Sequence, residues 1–155
     1  MKLRRFRQSD TEQIAQLFHD TIRSVNLGDY TEEQVKAWAP DDIHFRDWEA
    51  KCSSKYTLVA DSQGVIAGFA ELEDDGHIDC FYCHKDFQGK GVGRFLFDGI
   101  EKEARKRKLT RLFLEASITA KSFFEKMGFL LIREQTVNVR EVDLTNFHME
   151  KKLYR

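Results

Sequence analysis

Apolar residues recur along the chain at two spacings, and each spacing predicts a different kind of element. Residues 14–22 and 92–104 place apolar side chains three and four positions apart, which is typical of an amphipathic helix. Residues 56–60, 65–72 and 77–84 are short runs rich in apolar, branched and aromatic residues, which indicates strands. A four-residue turn ending in glycine separates the first two of these runs, so we expect them to form a hairpin.

Weaker patterns complete the order of elements. We predict a short strand at residues 3–6, helices at 31–38, 44–52 and 118–127, and strands at 112–115, 129–139 and 142–153. An antiparallel run is followed by a strand-helix-strand crossover, which predicts an α+β (mixed α/β) fold with helices covering a mixed sheet. A chain of 155 residues has the size of one domain, so we expect a single domain over residues 1–155.

Charge and cysteine content limit the classes of partner, cellular location and crosslink that the chain is expected to have. The 25 basic and 26 acidic residues give a net charge of -1, which removes any general electrostatic basis for binding nucleic acid or an anionic membrane. We therefore expect a small-molecule partner, and either a monomer or a homodimer. Charges interrupt every apolar run near the N-terminus, so no signal peptide or membrane span is predicted and we expect a cytoplasmic protein. Three cysteines are an odd number, too few for a disulfide framework.

A glycine-rich loop connects the strand at 77–84 to the helix that follows it. Its sequence, QGKGVG at residues 88–93, lets the backbone approach a ligand, and the first amides of the helix have no partner within the helix. Together with the helix dipole and the charges of Lys90 and Arg94, this predicts a phosphate or pyrophosphate site. A Walker A loop is absent, and Leu96 stands where the dinucleotide motif has its third glycine. Alternatively, the glycines only make the turn.

The loop resembles the Q/R-x-x-G-x-G/A signature of the GNAT acetyltransferases, and it lies between a strand and a helix as in that family. Residues 116–129, ASITAKSFFEKMGF, are similar to the second motif of the family, N-x-x-A-x-x-[FY]-Y-E-K-x-G-F. The resemblance extends over essentially the whole chain. Residues 30–40 and 146–149 resemble the YafP-like branch in particular.

This resemblance implies a mixed, mostly antiparallel twisted sheet flanked by helices, with a splay between the fourth and fifth strands where acetyl-pantetheine lies. It implies an acetyl-CoA-dependent N-acetyltransferase in which the amine of a small molecule attacks the thioester directly. The positions that match the family's cofactor contacts are Phe81, Cys83, Gln88, Gly89, Lys90, Gly91, Val92, Gly93, Arg94, Ser117 and Phe124.

Two of these positions depart from the family pattern. Phe124 replaces the tyrosine usually credited as the general acid, so Tyr82 and Tyr30 are the remaining candidate acids. Ser117 replaces an asparagine, and its hydroxyl has two alternative roles, a contact with the cofactor or the N-cap of the helix that follows. The missing tyrosine also supports an alternative function, a catalytically weak CoA-binding sensor or interaction module on the same fold.

The candidate bases lie early in the fourth strand, where this family often has an acidic residue. The matching positions are His77 and Asp79, and a strand period of two would place both on one face with Phe81 and Cys83, in line with the thioester. An imidazole has an ordinary pKa of about 6.5, which suits a base. Alternatively, both residues are solvated polar positions. Glu73, at the end of the third strand, is a further candidate.

The acceptor site is expected in the helical N-terminal segment, where this family usually builds it. Tyr30 and Trp38 there would suit a flat or apolar amine, and we also assign Glu71, at the end of the third strand, to this site and to the candidate bases. Alternatively, the aromatic residues belong to the core. Cys80 and Cys83 have the spacing of a zinc or redox pair, but residues three apart on a strand face opposite sides, so we expect separate thiols and no metal.

Overall fold

The computed structural model describes residues 1–154, which contain seven strands and five α-helices. The strands are β1 (Lys2–Arg5), β2 (Tyr56–Ser62), β3 (Val65–Leu72), β4 (Ile78–Cys83), β5 (Arg111–Ser117), β6 (Leu130–Val139) and β7 (Val142–Lys152). The helices are α1 (Thr11–Ser24), α2 (Glu32–Trp38), α3 (Trp48–Ser53), α4 (Val92–Lys106) and α5 (Lys121–Lys126). No helix in this range is long and apolar enough to cross a membrane.

The strands form two antiparallel sheets that touch at one point. One sheet has the order β1-β2-β3-β4 and the other has the order β5-β7-β6. An isolated parallel bridge between His77 and Phe113 connects them, and the Phe113 N–H donates to the Gly76 carbonyl at 3.1 Å. A Cβ at Gly76 would lie 2.3 Å from the Arg111 carbonyl oxygen, so only glycine permits this approach. The predicted mixed, mostly antiparallel sheet with a splay between the fourth and fifth strands is confirmed.

A bulge in β4 changes the direction of its side chains. Ala70 of β3 pairs with Phe81 and Leu72 pairs with Ile78, so two residues of β4 oppose one residue of β3. As a result Ile78 packs on the same side of the sheet as Phe81 and Cys83. The prediction that His77 and Asp79 share the face of Phe81 and Cys83 is therefore wrong, because it assumed an unbroken alternation.

Two apolar cores cover the two faces of the first sheet. Helix α4 packs on one face through side chains such as Leu96 and Ile100, while Ile14, Phe18 and Trp48 of α1 and α3 pack on the other face. Helix α2 adds Val35 to the second core and begins with the capping box of Thr31 and Gln34. The site described below lies where the two cores meet, at the open end of the splay.

Two helices are shorter than their patterns predicted. Helix α5 begins at Lys121 and not at residue 118, because the Ala120 N–H donates to the carbonyl and hydroxyl oxygens of Ser117 and closes a separate turn. Helix α3 begins only at Trp48, where Asp47 accepts the Ala50 N–H at 3.0 Å as its N-cap.

Candidate active site

The glycine loop presents the N-terminus of α4 to the splay. Gly89 and Gly91 have φ angles of 71° and 81°, a left-handed conformation that favours glycine, and Gly91 is the N-cap of the 15-residue helix. The Phe95 N–H is the first to bond back to Gly91, at 3.1 Å. The amides of the residues between them have no partner within the helix, so they are free to bind an anion.

Gln88 fastens this loop to the end of β4. Its Nε2 donates to the carbonyl of Cys83 at 2.9 Å, and the Thr21 hydroxyl donates to the same carbonyl at 2.9 Å. The Gln88 side chain therefore holds the loop in position. Because its Nε2 is engaged with Cys83, a ligand would contact the side-chain carbonyl or the backbone of Gln88.

The backbone of β4 has an open edge toward the splay. The His84 N–H donates to Ala67 at 2.8 Å, which makes these two residues a hydrogen-bonded pair of the antiparallel ladder. Because such pairs alternate, the amides of Phe81 and Cys83 point away from β3. They face the splay, as expected for groups that bond an extended ligand.

A cavity of about 380 Å³ extends from the loop along this edge. Every predicted cofactor residue except Lys90 lines it, namely Phe81, Cys83, Gln88, Gly89, Gly91, Val92, Gly93, Arg94, Ser117 and Phe124. The Lys90 ammonium lies instead 5.5 Å from the centroid of the Phe87 ring. The structure thus brings both motifs of the sequence to one cavity.

Phe124 and Ser117 differ in whether they can donate a proton or a hydrogen bond to a ligand in this cavity. Phe124 is buried, and its ring packs edge-on at 5.1 Å against Phe81, so the position has no proton to give. The Ser117 hydroxyl accepts the Ala120 N–H at 3.0 Å and so closes the turn before α5. The alternative role as N-cap of the helix is wrong, because Ala120 is the N-cap of α5. Ser117 also lines the cavity, as expected for a contact with the cofactor. The hydroxyl keeps its own proton free for a ligand.

Tyr30 connects β7 to the turn after β5. Its hydroxyl donates to the Thr145 carbonyl at 2.7 Å and accepts the Ile118 N–H at 2.9 Å, and burial raises the pKa of the phenol. The phenolic proton is therefore engaged with the backbone, which gives Tyr30 a structural role and no evident part as an acid.

We expect Tyr30→Phe to lower the free energy of unfolding by about 1–3 kcal/mol, since two partly buried backbone groups lose their partner. Urea denaturation of the variant measures this change. Tyr154→Phe is the matched control, because the Tyr154 side chain is exposed and its loss should change little. Equal stability of the two variants would contradict the structural role of Tyr30.

A second cavity of about 230 Å³ lies on the far side of the splay. It is lined by Tyr30 and Trp38, as predicted for the acceptor site, and by Tyr82. A small space of about 50 Å³, here called the passage, shares lining residues with both cavities, and Tyr82 and Ser117 line all three spaces. Burial raises the pKa of Tyr82 well above its ordinary value, so this phenol stays protonated.

Asp79 lines the second cavity but is held by two lysines. Its carboxylate lies 2.9 Å from Lys51 Nζ and 2.6 Å from Lys55 Nζ. Burial acts to raise the pKa of Asp79, but the two ammonium groups outweigh it and lower the pKa to about 2. A carboxylate with so low a pKa is a weak base.

Glu71 lies outside these cavities, contrary to its predicted place in the acceptor site. It is fully buried, its Oε1 pairs with Lys51, and its Oε2 has no hydrogen-bond partner among the described residues. Its neighbours Ala70 and Leu72 both pack in the core of α4, so the alternation of β3 turns Glu71 to the opposite face, where it meets α3 and not the splay.

His77 is the centre of a row of acidic and imidazole groups. Its Nδ1 bonds to Glu73 and its Nε2 lies 2.7 Å from Glu115 Oε1. Burial acts to lower the pKa of His77, but the two carboxylates outweigh it and raise the pKa. His77 itself does not line the second cavity, whereas Glu115 does. Glu115 also contacts His148 Nδ1 at 3.4 Å.

Two residues of this site were missed in the sequence. Glu115 alternates with buried Leu114 and Ala116 on β5, and that alternation was the one available signal that it faces the splay. Arg46 lies between α2 and α3 in a segment without regular spacing, and the structure places it in the lining of the second cavity. Nothing in the local sequence marked Arg46.

Cys80 and Cys83 lie on opposite sides of the sheet, as predicted. Cys80 packs in the core of α1 and α3, while Cys83 packs in the core of α4. Burial raises the pKa of both thiols, that of Cys83 to about 11, and neither cysteine is in a disulfide. They are separate thiols.

Comparison with known proteins agrees with this geometry. Residues 26–153 match the acetyltransferase (GNAT) domain. The chain is 28% identical over 152 residues to the uncharacterized N-acetyltransferase YafP of Escherichia coli strain K12, which covers 98% of this chain and 96% of that protein.

Two solved structures are similar over nearly the whole chain. A GCN5-related N-acetyltransferase from Rhodopseudomonas palustris, titled a class-II aminotransferase, is 38% identical with a TM-score of 0.91, covering 98% of this chain and 95% of that one. The PaiA N-acetyltransferase of Thermoplasma acidophilum, in complex with coenzyme A, is 21% identical with a TM-score of 0.77 and covers 98% of both chains. The second likeness concerns the fold alone.

Proposed function

Because the chain belongs to the GNAT acetyltransferase family and is an N-acetyltransferase, we propose that it moves the acetyl group of acetyl-CoA to the amine of a small molecule. The observation that carries the proposal is that the passage shares lining residues with both cavities, and that Tyr82 and Ser117 line all three spaces. A donor and an acceptor bound at the two ends would meet in the passage.

The first cavity suits acetyl-CoA. The free amides at the start of α4 and the Arg94 guanidinium would bind the pyrophosphate, since both favour negative charge. The amides of Phe81 and Cys83, which point away from β3, would bond the pantetheine arm as the next strand would. This placement brings the thioester to the passage lined by Tyr82 and Ser117.

The amine must lose a proton to react. At pH 7 an alkylamine with a pKa of about 10.4 reaches its neutral form at a cost of about 4–5 kcal/mol, so a proton acceptor at the passage matters. Glu115 lines the passage and the second cavity, and its Oε1 contacts His77 Nε2. Glu115 would accept the proton and pass it to His77, whose Nδ1–H bonds to Glu73.

The neutral amine nitrogen attacks the thioester carbonyl carbon, a carbon–nitrogen bond forms, the carbon–sulfur bond breaks, and the thiolate of CoA leaves. The proton that the nitrogen then loses passes to the thiolate, which gives CoA thiol and the N-acetyl product. Tyr82, protonated at neutral pH, would donate a hydrogen bond to the developing negative charge. The leaving thiolate needs little help from an acid. With a thiol pKa of about 8.5, protonation of the thiolate near pH 7 contributes only about 2 kcal/mol. Phe124 in place of an acid is compatible with this chemistry.

In this proposal Asp79 holds two lysine side chains in place and does not accept a proton. Its pKa of about 2 and its contacts with Lys51 and Lys55 make it an anchor for two ammonium groups at the edge of the second cavity. His77 acts through Glu115, so it is also a positioning residue.

We expect Glu73→Gln to move the acidic limb of the kcat–pH profile to lower pH. The Glu73 carboxylate raises the pKa of His77, and protonated His77 cannot accept a proton from Glu115. With the carboxylate neutralised, His77 loses its proton at lower pH and activity appears there. The profile is measured at saturating acetyl-CoA and amine.

Asp74→Asn is the control for that profile, because exposed Asp74 is the next residue and pairs with Arg107 away from His77. Its acidic limb should coincide with that of the unchanged protein. An unmoved limb in Glu73→Gln would remove His77 from the proposed route.

The function is tested by thiol release from acetyl-CoA in the presence of alkylamines, arylamines, aminoglycosides and peptide N-termini. The proposal predicts release that depends on a small amine, with an equal amount of N-acetyl product by mass spectrometry. CoA binding at the loop without turnover on any acceptor would favour a CoA-binding sensor or interaction module on the same fold.

A further inference from the structure

We propose that Arg46 binds a carboxylate of the acceptor, so that the substrates are small apolar amines that carry a carboxylate, such as apolar amino acids. This rests on the proposed function, because it names the chemistry of the molecule expected in the second cavity.

Arg46 is held by aromatic rings and by no acid. Its Cζ lies 5.4 Å, 4.6 Å and 4.8 Å from the ring centroids of Phe18, Phe45 and Trp48. Contacts with these faces fix the plane of the guanidinium. No carboxylate among residues 1–154 forms a salt bridge with it, although it lines the second cavity. Its N–H donors are therefore available to a ligand.

The other charged groups of this cavity already have partners. Asp79 is bound by Lys51 and Lys55, and Glu115 contacts His77 and His148. Arg46 is thus the cavity's one uncompensated charge within the described residues. A cation left in a partly buried, aromatic site favours an anionic guest.

A carboxylate matches the guanidinium better than other groups of similar size, because its two oxygens accept two parallel N–H bonds. The lining around it also includes apolar side chains, with Phe18, Val137 and Leu144 among them. The volume of about 230 Å³ suits a small molecule and lies below the common range of about 300–1,000 Å³ for ligand pockets. A large polycation would be both too big and repelled by Arg46.

The same cavity contains a group suited to the amine. Glu115 lines both the second cavity and the passage, so an amine N–H there can reach its carboxylate. The cavity therefore offers a cation for a carboxylate and an anion for an amine, with apolar side chains such as Val137 and Leu144 in the same lining.

The test compares amines in pairs that differ only in the carboxylate: phenylalanine with phenethylamine, leucine with 3-methylbutylamine, and 4-aminobenzoate with aniline. Values of kcat/KM are expressed per neutral amine, so that differences in amine pKa do not enter. We expect the carboxylate-bearing member of a pair to be preferred, and Arg46→Met to lower its kcat/KM about tenfold, mainly through KM. The carboxylate-free member should be unaffected, and Arg46→Lys should recover part of the loss.

Arg5→Met is the matched control. Arg5 also stacks on a ring, 4.1 Å from the Tyr56 centroid, but lines neither cavity nor the passage. Its loss should leave the preference intact. Equal kcat/KM within every pair, or a preference that survives in Arg46→Met, overturns the proposal.

A binding measurement separates this proposal from the proposed function. N-acetylphenylalanine is titrated into the CoA complex by calorimetry. Binding that Arg46→Met weakens supports the carboxylate site even if no amine is turned over, a result that would contradict only the proposed function. Absence of binding, or equal binding in both proteins, overturns the carboxylate site even if amines are acetylated.

Discussion

Replacing Glu115 with Gln is expected to lower kcat on an alkylamine about 100- to 1,000-fold, the range for loss of a general base. Glutamine keeps the size of the side chain and can still contact His77, but it cannot accept the proton that the amine must lose. Binding of acetyl-CoA should be unchanged, because Glu115 does not line the first cavity. Stopped-flow measurement of thiol release, with calorimetric CoA binding, gives both quantities.

Glu150→Gln is the control for this loss. Glu150 lies on β7 and bonds to His148 Nε2 at 3.1 Å, so it belongs to the same row of carboxylates and imidazoles without lining the second cavity. Its replacement should change kcat little. Aniline offers a second check, because its amine is neutral at pH 7 and should lose far less rate in Glu115→Gln. A loss of only a few-fold on alkylamines would remove Glu115 from the base role.

Replacing Gly91 with Val is expected to raise the Kd for acetyl-CoA about 10- to 100-fold. Valine is strained by up to about 3 kcal/mol at a φ of +81°, so the loop would leave its left-handed conformation for most of the time. The apparent affinity falls by the fraction of molecules that still hold the amides toward the cavity. Calorimetric titration with acetyl-CoA measures the change.

Gly64→Val is matched to that variant. Gly64 also has a left-handed φ, +91°, and no atom lies within 4 Å of an added Cβ at either glycine. Both variants should lose similar stability, but only Gly91→Val should lose affinity for acetyl-CoA. Equal Kd values for the two would mean that the loop conformation does not determine cofactor binding.

The sequence predicted the elements and the cofactor end of the site because both depend on local patterns. The strand at 65–72 has the predicted bounds, and the loop at 88–93 forms the start of α4 as expected. Glycines at positive φ and the capping box of Thr31 are decided by residues within one turn of the chain. Such features need no knowledge of the fold.

The acceptor end of the site could not be predicted from local sequence patterns. The β4 bulge exists only in the pairing with β3, and it removes His77 and Asp79 from the face of Phe81 and Cys83. The pairing of Asp79 with Lys51 and Lys55 joins elements more than twenty residues apart. These contacts depend on tertiary packing, and they transfer the base role from Asp79 to Glu115 in the mechanism proposed above.

Direct transfer of acetyl between a donor and an acceptor that are bound together is tested by an initial-rate matrix. Acetyl-CoA and an accepted amine are varied against each other, and thiol release is followed. Direct attack in a ternary complex predicts intersecting lines in the double-reciprocal plot and no burst of thiol without amine. Parallel lines, with a stoichiometric burst from acetyl-CoA alone, would show an acetyl-enzyme intermediate and contradict the account.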